Sequence, residues 1–588
     1  MKYPKLKTLP TTRDIIDVFK GYNHNLRIGS GEFYDMTNLS SDNYPVLSPR
    51  KKRGIYRSGD ESFFPQGLLS HNALCYVDGS KFVIGNNIVE MDLDDRKYPK
   101  TLISMGAYVI IMPDRKYINT LDYNDKGNIE ATVNITSDTK FSLCKIDSVE
   151  YDNPVIGATE PENPENTDLW MDTSTTPHVL KIYSNTNKMW SPIATTYIKI
   201  SATGIGIPFS ANDGVTISGV KDDDLQDLNA TTVIWAKGDD YIVVKGIIDQ
   251  TTTQAYDEKN PITIKRQMPI MNHIIESGNR LWGCRYGPDI NGNMVNEIYA
   301  SKLGDFKNWN CFAGISTDSY VVTVGTEGPF TGATTYFGYP IFFKENYIHK
   351  VYGNYPANYQ IQTTTGRGVQ YGCQDSIAMV NQTLYYKSRN GVCAFDGSLP
   401  YEISDAFGGE NYDYAVAGSL GNKYYISMRD MNEKYHLFVY DKTKDMWHRE
   451  DDTQALCFCN HQGDLFYIDY MDNQIKTVVR KNNRLQESAP VKWQAVTGVI
   501  GTDSPDKKYI SRMDVRMMLE IGASVGFFAE YDSSGEWEHL FTMTGKELRS
   551  FSVPIRTRRC DHLRLKIVGD GDAKILSICK TIEQGSGL

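Results

Sequence analysis

The sequence predicts an all-β protein: a β-propeller of six or seven blades, with an inserted small β domain and a C-terminal β-sandwich. Three observations carry this. The first is a short apolar-aromatic run that recurs along the chain beside turn residues. The second is composition: 38 Tyr suit half-buried strands and 48 Gly supply tight turns. The third is length, because 588 residues exceed what one compact core organises.

The recurring run appears at 72–77 (NALCYV), 107–111 (AYVII), 279–283 (NRLWG), 339–343 (YPIFF), 382–386 (QTLYY), 422–426 (NKYYI) and 463–468 (GDLFYI). From the third copy on, the copies lie roughly 40 to 60 residues apart, near the size of a four-stranded blade. Asp78-Gly79 and Asn390-Gly391 are dipeptides that hairpin turns favour. Tyr440-Asp441 followed by Trp447 resembles the end of a kelch-like blade, where a Trp packs between neighbours. Radial repetition hides most strand edges. A pair of sandwiches would also give regular short strands.

Around this repeat the chain divides into an N-terminal entry segment (1–60), a discontinuous propeller (61–127 and 266–490), inserted β modules (128–265) and a C-terminal sandwich (491–588). The best helix candidate is 12–19 (TRDIIDVF), opened by a Thr cap. In the insertion a Pro/Asn/Glu-rich linker, 153–166, leads to a Trp strand around Trp170. A turn with Pro177, a second strand and a closing Trp190 follow. Further strands at 214–219 and 241–246 have the alternation of a small barrel or sandwich. Past residue 495, 512–517 (RMDVRM) and 563–567 (LRLKI) alternate strictly.

The net charge of -10 argues against a protein that grips nucleic acid through its phosphates, although an acidic surface lets DNA pass without sticking. The N-terminus has no apolar signal region, and no stretch has the ~18 apolar residues of a membrane helix. Ten scattered Cys without a CxxC indicate free thiols, not zinc or a disulfide framework. Residues 289–294 (DINGNM) start like a calcium loop but put Met294 where Gly is obligatory, so a hairpin turn is the better reading. Asp222, Asp223, Asp224 and Asp227 read as a solvated loop. No GxSxG, HExxH or Walker pattern occurs, and no paired carboxylates are placed across a cleft. The sequence therefore nominates no catalytic residue, cofactor or metal ligand, and the expectation is a protein that is not an enzyme.

Two candidate contact sites remain. Arg556, Arg558, Arg559 and Arg564 form the one local basic cluster, suited to an acidic partner subunit or DNA or, more plainly, the exposed face of a strand and its preceding loop. Trp170 and Trp190 are candidate aromatic contacts of the inserted module.

Residues 21–25 (GYNHN), 32–39 (EFYDMTNL) and 48–54 (SPRKKRG) resemble the opening of many phage tail proteins. Further signatures are 298–309 (IYASKLGDFKNW), 338–343 (GYPIFF) with 347–353 (YIHKVYG), and 558–567 (RRCDHLRLKI). Together they resemble the tail nozzle, or packaged-DNA stabilisation, family of short-tailed bacteriophages. The resemblance implies a virion protein made in the host cytoplasm. It implies a hexameric ring of propellers below the portal and adaptor that continues the DNA channel, retains the genome until ejection and carries fibres or spikes. Its partners would be further copies of itself, portal and adaptor proteins, fibre or spike proteins, passing genomic DNA and the host envelope. Two other readings stay open: a phage receptor-binding or fibre protein that grips host glycan, and a secreted glycan-active propeller enzyme.

Overall fold

The computed structural model describes residues 11–59, 62–96, 98–152, 154–480, 485–487, 489–502, 507–545, 549–554 and 559–584. Nearly all regular structure is strand. Each of the seven recurring runs forms the second strand of a four-stranded meander, which we number as blades in chain order. These second strands are Ala73–Asp78, Tyr108–Met112, Leu281–Pro288, Tyr339–Lys344, Thr383–Ser388, Lys423–Asp430 and Asp464–Asp469. Their middles are apolar and aromatic because both faces are covered: every residue of Thr383–Ser388 is buried, Lys387 and Ser388 included. Just before each lies a left-handed turn residue, namely Asn72, Gly106, Asn279, Gly338, Gln382, Gly421 and Gly463. Gly, and less readily Asn, adopts that backbone without strain, which is why the run and its punctuation recur together.

Blade 7 is completed from the other end of the chain. Its strands Ala455–His461, Asp464–Asp469 and Gln474–Thr477 are joined by Gly54–Arg57, with Thr477 opposite Gly54 and Lys476 opposite Ile55. The fold is thus a β-propeller with an inserted β domain and a C-terminal β-sandwich.

The chain folds into two compact units. Unit 1 is Met1–Leu102, Phe343–Ile348 and Thr364–Leu588; unit 2 is Ile103–Phe342 and His349–Thr363. In unit 1, blades pack through shared cores. Leu74, Tyr76 and Val83 of blade 1 meet Phe466, Ile468 and Ile475 of blade 7. Tyr425, Leu437 and Val439 of blade 6 meet Leu465 and Tyr467 on the other side. Trp447 closes blade 6 opposite Tyr440 and donates its indole N–H to the Ile403 carbonyl after blade 5, at 2.7 Å.

The entry segment is woven into unit 1. Gly21–Tyr22 pairs with blade 6 (Tyr22 opposite Trp447) and, in parallel, with Glu32–Thr37. Glu32–Thr37 pairs with Lys492–Thr497 of the sandwich, so one ten-stranded sheet runs from blade 6 through the entry segment to Glu538–Thr544. Gly21 has φ +88, and a Cβ there would meet the Trp447 carbonyl oxygen at 2.4 Å, so the bridging strand requires glycine. The expected helix over 12–19 is a strand instead: Thr11–Ile16 lies along Ala573–Gln584, with Thr12 opposite Ile582 and Ile16 opposite Ile578. Its β-branched Thr11, Thr12, Ile15 and Ile16 fit a pleated edge, and the long C-terminal strand offers unpaired backbone groups that outweigh one Thr cap.

Burial also makes unit 1 acid-sensitive. The His448 imidazole, inside the bridged part of blade 6, is pushed down to about 3 by burial, with the Lys423 charge adding to the shift. Unfolded histidine titrates near 6.5, so the unfolded chain takes up the proton first. The contribution of neutral His448 is complete above about pH 6.5 and is lost as pH falls towards 3. Between pH 6.5 and 4 the wild type is expected to lose on the order of a few kcal/mol more stability than His448→Gln. Urea midpoints of the two proteins across that range check this.

In unit 2, Ile103, Ile110 and Tyr117 of blade 2 share a core with Leu281, Phe306 and Trp309 of blade 3. Trp282 and Ile298 of blade 3 in turn pack on Phe330, Phe342 and Val351. Between blades 2 and 3 the insertion forms an eight-stranded sheet that starts at Ala131–Asn134 and ends at Thr263–Arg266, two adjacent strands. Its core includes Phe141, Ile200, Val215, Ile234, Ile242 and Ile264, all fully buried. Nested within it is a small four-stranded sheet: Val155–Gly157, Leu169–Asp172, Val179–Ser184 and Met189–Pro192.

Candidate functional site

The two sequence-nominated sites fall in different units, the basic cluster in unit 1 and the Trp pair in unit 2. Arg556 and Arg558 lie outside the described residues. Arg559 is exposed. Arg564, on Leu563–Asp570, lies over the Tyr34 ring at 4.9 Å, so its guanidinium serves the joint between sandwich and entry segment.

Trp170 is buried, 6% exposed, and donates its indole N–H to the Gly157 carbonyl at 2.9 Å. Trp190 packs against it edge-on, centroids 5.7 Å apart, and Tyr183 flanks Trp190. Lys181 covers the Trp170 ring at 4.5 Å and pairs with Asp172 at 2.7 Å. The Lys181 ammonium, helped by Ser174, holds the Asp172 carboxyl down at about 2. The pair is thus the core of the nested sheet, with Trp170 inside it. Strand alternation located these residues, whereas burial depended on Gly157 and Lys181.

Sequence reasoning missed two buried charge networks. In unit 1, the basic run before blade 7's last strand reaches the acidic run after blade 6. Arg53 pairs with Glu450 at 3.0 Å and Asp451 at 2.9 Å, donates to Tyr467 Oη at 2.9 Å, and also bonds Thr453. Arg50 adds Asp451 at 3.2 Å. Burial pushes the Asp451 carboxyl up, but the Arg53 and Arg50 charges outweigh it and hold Asp451 down at about 2. Burial dominates at Glu450 and raises it. The signal was two short runs of opposite charge, each of which alone reads as solvated.

In unit 2, Arg266 on the insertion's last strand pairs with Asp213, both almost fully buried, and donates to the Ile129 carbonyl. Asn308 donates to Asp213 at 2.8 Å and accepts from the Gly214 N–H at 2.9 Å. Asn308 belongs to the 298–309 signature, so that signature is where the insertion locks onto blade 3.

A polar cleft of 330 Å³ in unit 1 is lined by Lys387, Glu402, Ser404, Asp405, Glu410 and Tyr412 among others. Lys387 is buried, which lowers its pKa, and it donates to Gln370 Oε1 at 2.8 Å and the Ser388 carbonyl at 2.6 Å. Glu402 is held by Arg367 and by the Ser404 hydroxyl. Both charges are thus engaged in structural contacts. Residues 289–294 form a hairpin tip in which Asp289 accepts the N–H groups of Asn291 and Asn293. Among the described residues, no group of three or more His, Cys, Asp or Glu is arranged to hold a metal ion.

No family model and no curated protein matches the chain. Among solved structures, BamB from Moraxella catarrhalis is similar at 9% identity and a TM-score of 0.28, over 76% of this chain and 99% of that one. A Trypanosoma rangeli sialidase is similar at 9% identity and a TM-score of 0.22, over 97% and 95%. A Bacillus subtilis glycoside hydrolase family 43 arabinoxylan arabinofuranohydrolase is similar at 6% identity and a TM-score of 0.16, over 53% and 94%. At these scores the likenesses carry no argument about activity or partners.

Proposed function

We propose that this chain is a structural subunit of a short-tailed phage tail nozzle, acting in a ring below the portal and adaptor to continue the DNA channel and retain packaged DNA until ejection. The observation that carries the reading is the position of the residues that resemble the nozzle family. Residues 32–39 join blade 6 to the sandwich, 48–54 supply Arg50 and Arg53 and begin blade 7's closing strand, and 298–309 supply Asn308. These parts of the resemblance therefore fall on joints that hold separate parts of the chain together.

Such joints suit a subunit that withstands internal pressure, because pulling on the entry segment strains two sheets and a buried ion network together. The net charge of -10 suits a wall past which DNA moves without being gripped. In this reading the partners are further copies of the chain in a hexamer, portal and adaptor proteins, and fibres or spikes outside.

Sedimentation of the purified protein with an assembled portal–adaptor complex tests this. Co-sedimentation at one ring per complex is expected. Failure to bind, together with turnover or tight binding of a cell-surface glycan, would overturn it.

A further inference from the structure

We infer that one hairpin turn of the C-terminal sandwich carries a serine hydrolase site, in which Ser533, His562 and Asp561 cleave short-chain carboxylic esters. The inference goes beyond the nozzle reading and does not rest on it.

The fold brings these residues together at one end of two paired strands. Tyr531, the last residue of Ser524–Tyr531, lies opposite Leu563, the first of Leu563–Asp570. Asp532 and Ser533 therefore turn the chain beside Asp561 and His562. Asp532 clamps the two segments: its N–H donates to the His562 carbonyl at 3.0 Å, and its carboxylate accepts the Asp561 N–H at 2.7 Å.

Across this clamp the Ser533 hydroxyl lies 2.7 Å from His562 Nε2, and His562 Nδ1 lies 3.0 Å from an Asp561 carboxylate oxygen. A carboxylate only accepts, so Nδ1 carries the hydrogen of the neutral ring and Nε2 accepts from the Ser533 hydroxyl. Hydroxyl, imidazole and carboxylate thus stand in the order that activates a serine as nucleophile.

The backbone of the turn is a second observation. Asp532 and Ser533 have φ of 55 and 52, a left-handed conformation that two successive non-glycine residues seldom share. Glycine or asparagine would hold the Ser533 position with less strain, but neither offers a hydroxyl to His562. The Ser534 N–H closes the turn onto the Tyr531 carbonyl at 3.1 Å, and among the described residues the Ser533 N–H has no partner. It is left to meet the oxygen of a carbonyl attacked by Ser533 Oγ.

The reaction follows from these atoms. Ser533 Oγ bonds the ester carbonyl carbon while its proton passes to His562 Nε2, and Asp561 holds the resulting imidazolium. Collapse breaks the bond to the alcohol oxygen, which takes the proton from Nε2. Water then attacks the acyl-serine by the same route, giving the acid and restoring the Ser533 hydroxyl. Ser533 is exposed, and the His562 and Asp561 side chains are 24% and 52% exposed. An ester thus meets the nucleophile from solvent, at a turn without walls to select a long acyl chain, which makes short acyl esters the substrate class.

Hydrolysis of p-nitrophenyl acetate by the full-length protein, with labelling by a fluorophosphonate and peptide mass spectrometry, tests this. The label is expected on Ser533. Ser533→Ala and His562→Gln are each expected to lower the protein-dependent turnover by at least about a hundredfold. Asp561, which acts through His562, is a positioning residue: Asp561→Asn should lower kcat at unchanged KM and unchanged urea midpoint. Circular dichroism checks the fold of each variant. Turnover by Ser533→Ala equal to that of the wild type, a label on another residue, or labelling of His562→Gln at the wild-type rate would each overturn the inference.

Discussion

Arg53→Met is expected to destabilise unit 1 by about 3–5 kcal/mol, the usual result of removing one partner from a buried ion pair. Methionine approximates the length of the side chain but leaves Glu450, Asp451, Thr453 and Tyr467 without the donor they share. The loss should be concentrated where the network acts. Gly54–Arg57 should exchange its amide hydrogens faster, and blade 7 should lose protection with it. The change also has a pH signature. Asp451, held at about 2 by the arginines, contributes stability that is present above about pH 4 and lost as pH falls towards 2. Arg53→Met should flatten that part of the acid limb. Denaturant titrations at pH 7 and pH 3 check both points. An equal loss at the two pH values would mean that Arg53 acts through packing alone.

Asp213→Ala is expected to produce a loss of similar size, about 3–5 kcal/mol, in unit 2. Arg266 would remain almost fully buried without its carboxylate, and the Asn308 amide would lose an acceptor. Because Arg266 sits on the strand where the insertion returns to the propeller, the insertion should loosen before blades 2 and 3 melt. Asp213→Asn, which keeps an acceptor but not the charge, should recover part of the loss. Limited proteolysis between residues 128 and 270, compared for the three proteins, reads the effect. Unchanged cleavage in Asp213→Ala would show that the hydrophobic core of the insertion suffices to hold it.

The fold class was legible because the strongest sequence signal coincides with the best-buried strands. Lys423–Asp430 and Asp464–Asp469 lie between other strands of their sheets, so apolar and aromatic residues fill their centres, Tyr424-Tyr425-Ile426 and Leu465-Phe466-Tyr467-Ile468. The outer strands carry little signal: Gln360–Thr365 reads QIQTTT and is largely exposed. Strands whose partners are distant in sequence were illegible for a different reason. Gly54–Arg57 needs Gln474–Thr477, and Thr11–Ile16 needs Ala573–Gln584, so local propensity cannot decide their state. The entry segment consequently read as a separate piece, although its strands are shared among blade 6, blade 7 and the sandwich.

The candidate contacts were legible as positions but not as environments. Trp170 and Trp190 do share a small sheet, but the Gly157 carbonyl and Lys181 enclose Trp170 there. Arg564 belongs to a basic run in sequence, yet Tyr34, from the other end of the chain, receives its guanidinium. The two buried networks were hidden because a charge next to its neighbours in sequence gives no sign of an opposite charge folded onto it. Arg53 and Glu450 lie 397 positions apart.

The most direct test of the nozzle reading is the mass and rotational symmetry of the purified protein, by light scattering and negative-stain imaging, alone and on a portal–adaptor complex. The expected result is a six-fold ring, formed alone or on the adaptor. A monomer or trimer that ignores the adaptor and binds cell-surface glycan would contradict it and make a receptor-binding subunit the better account.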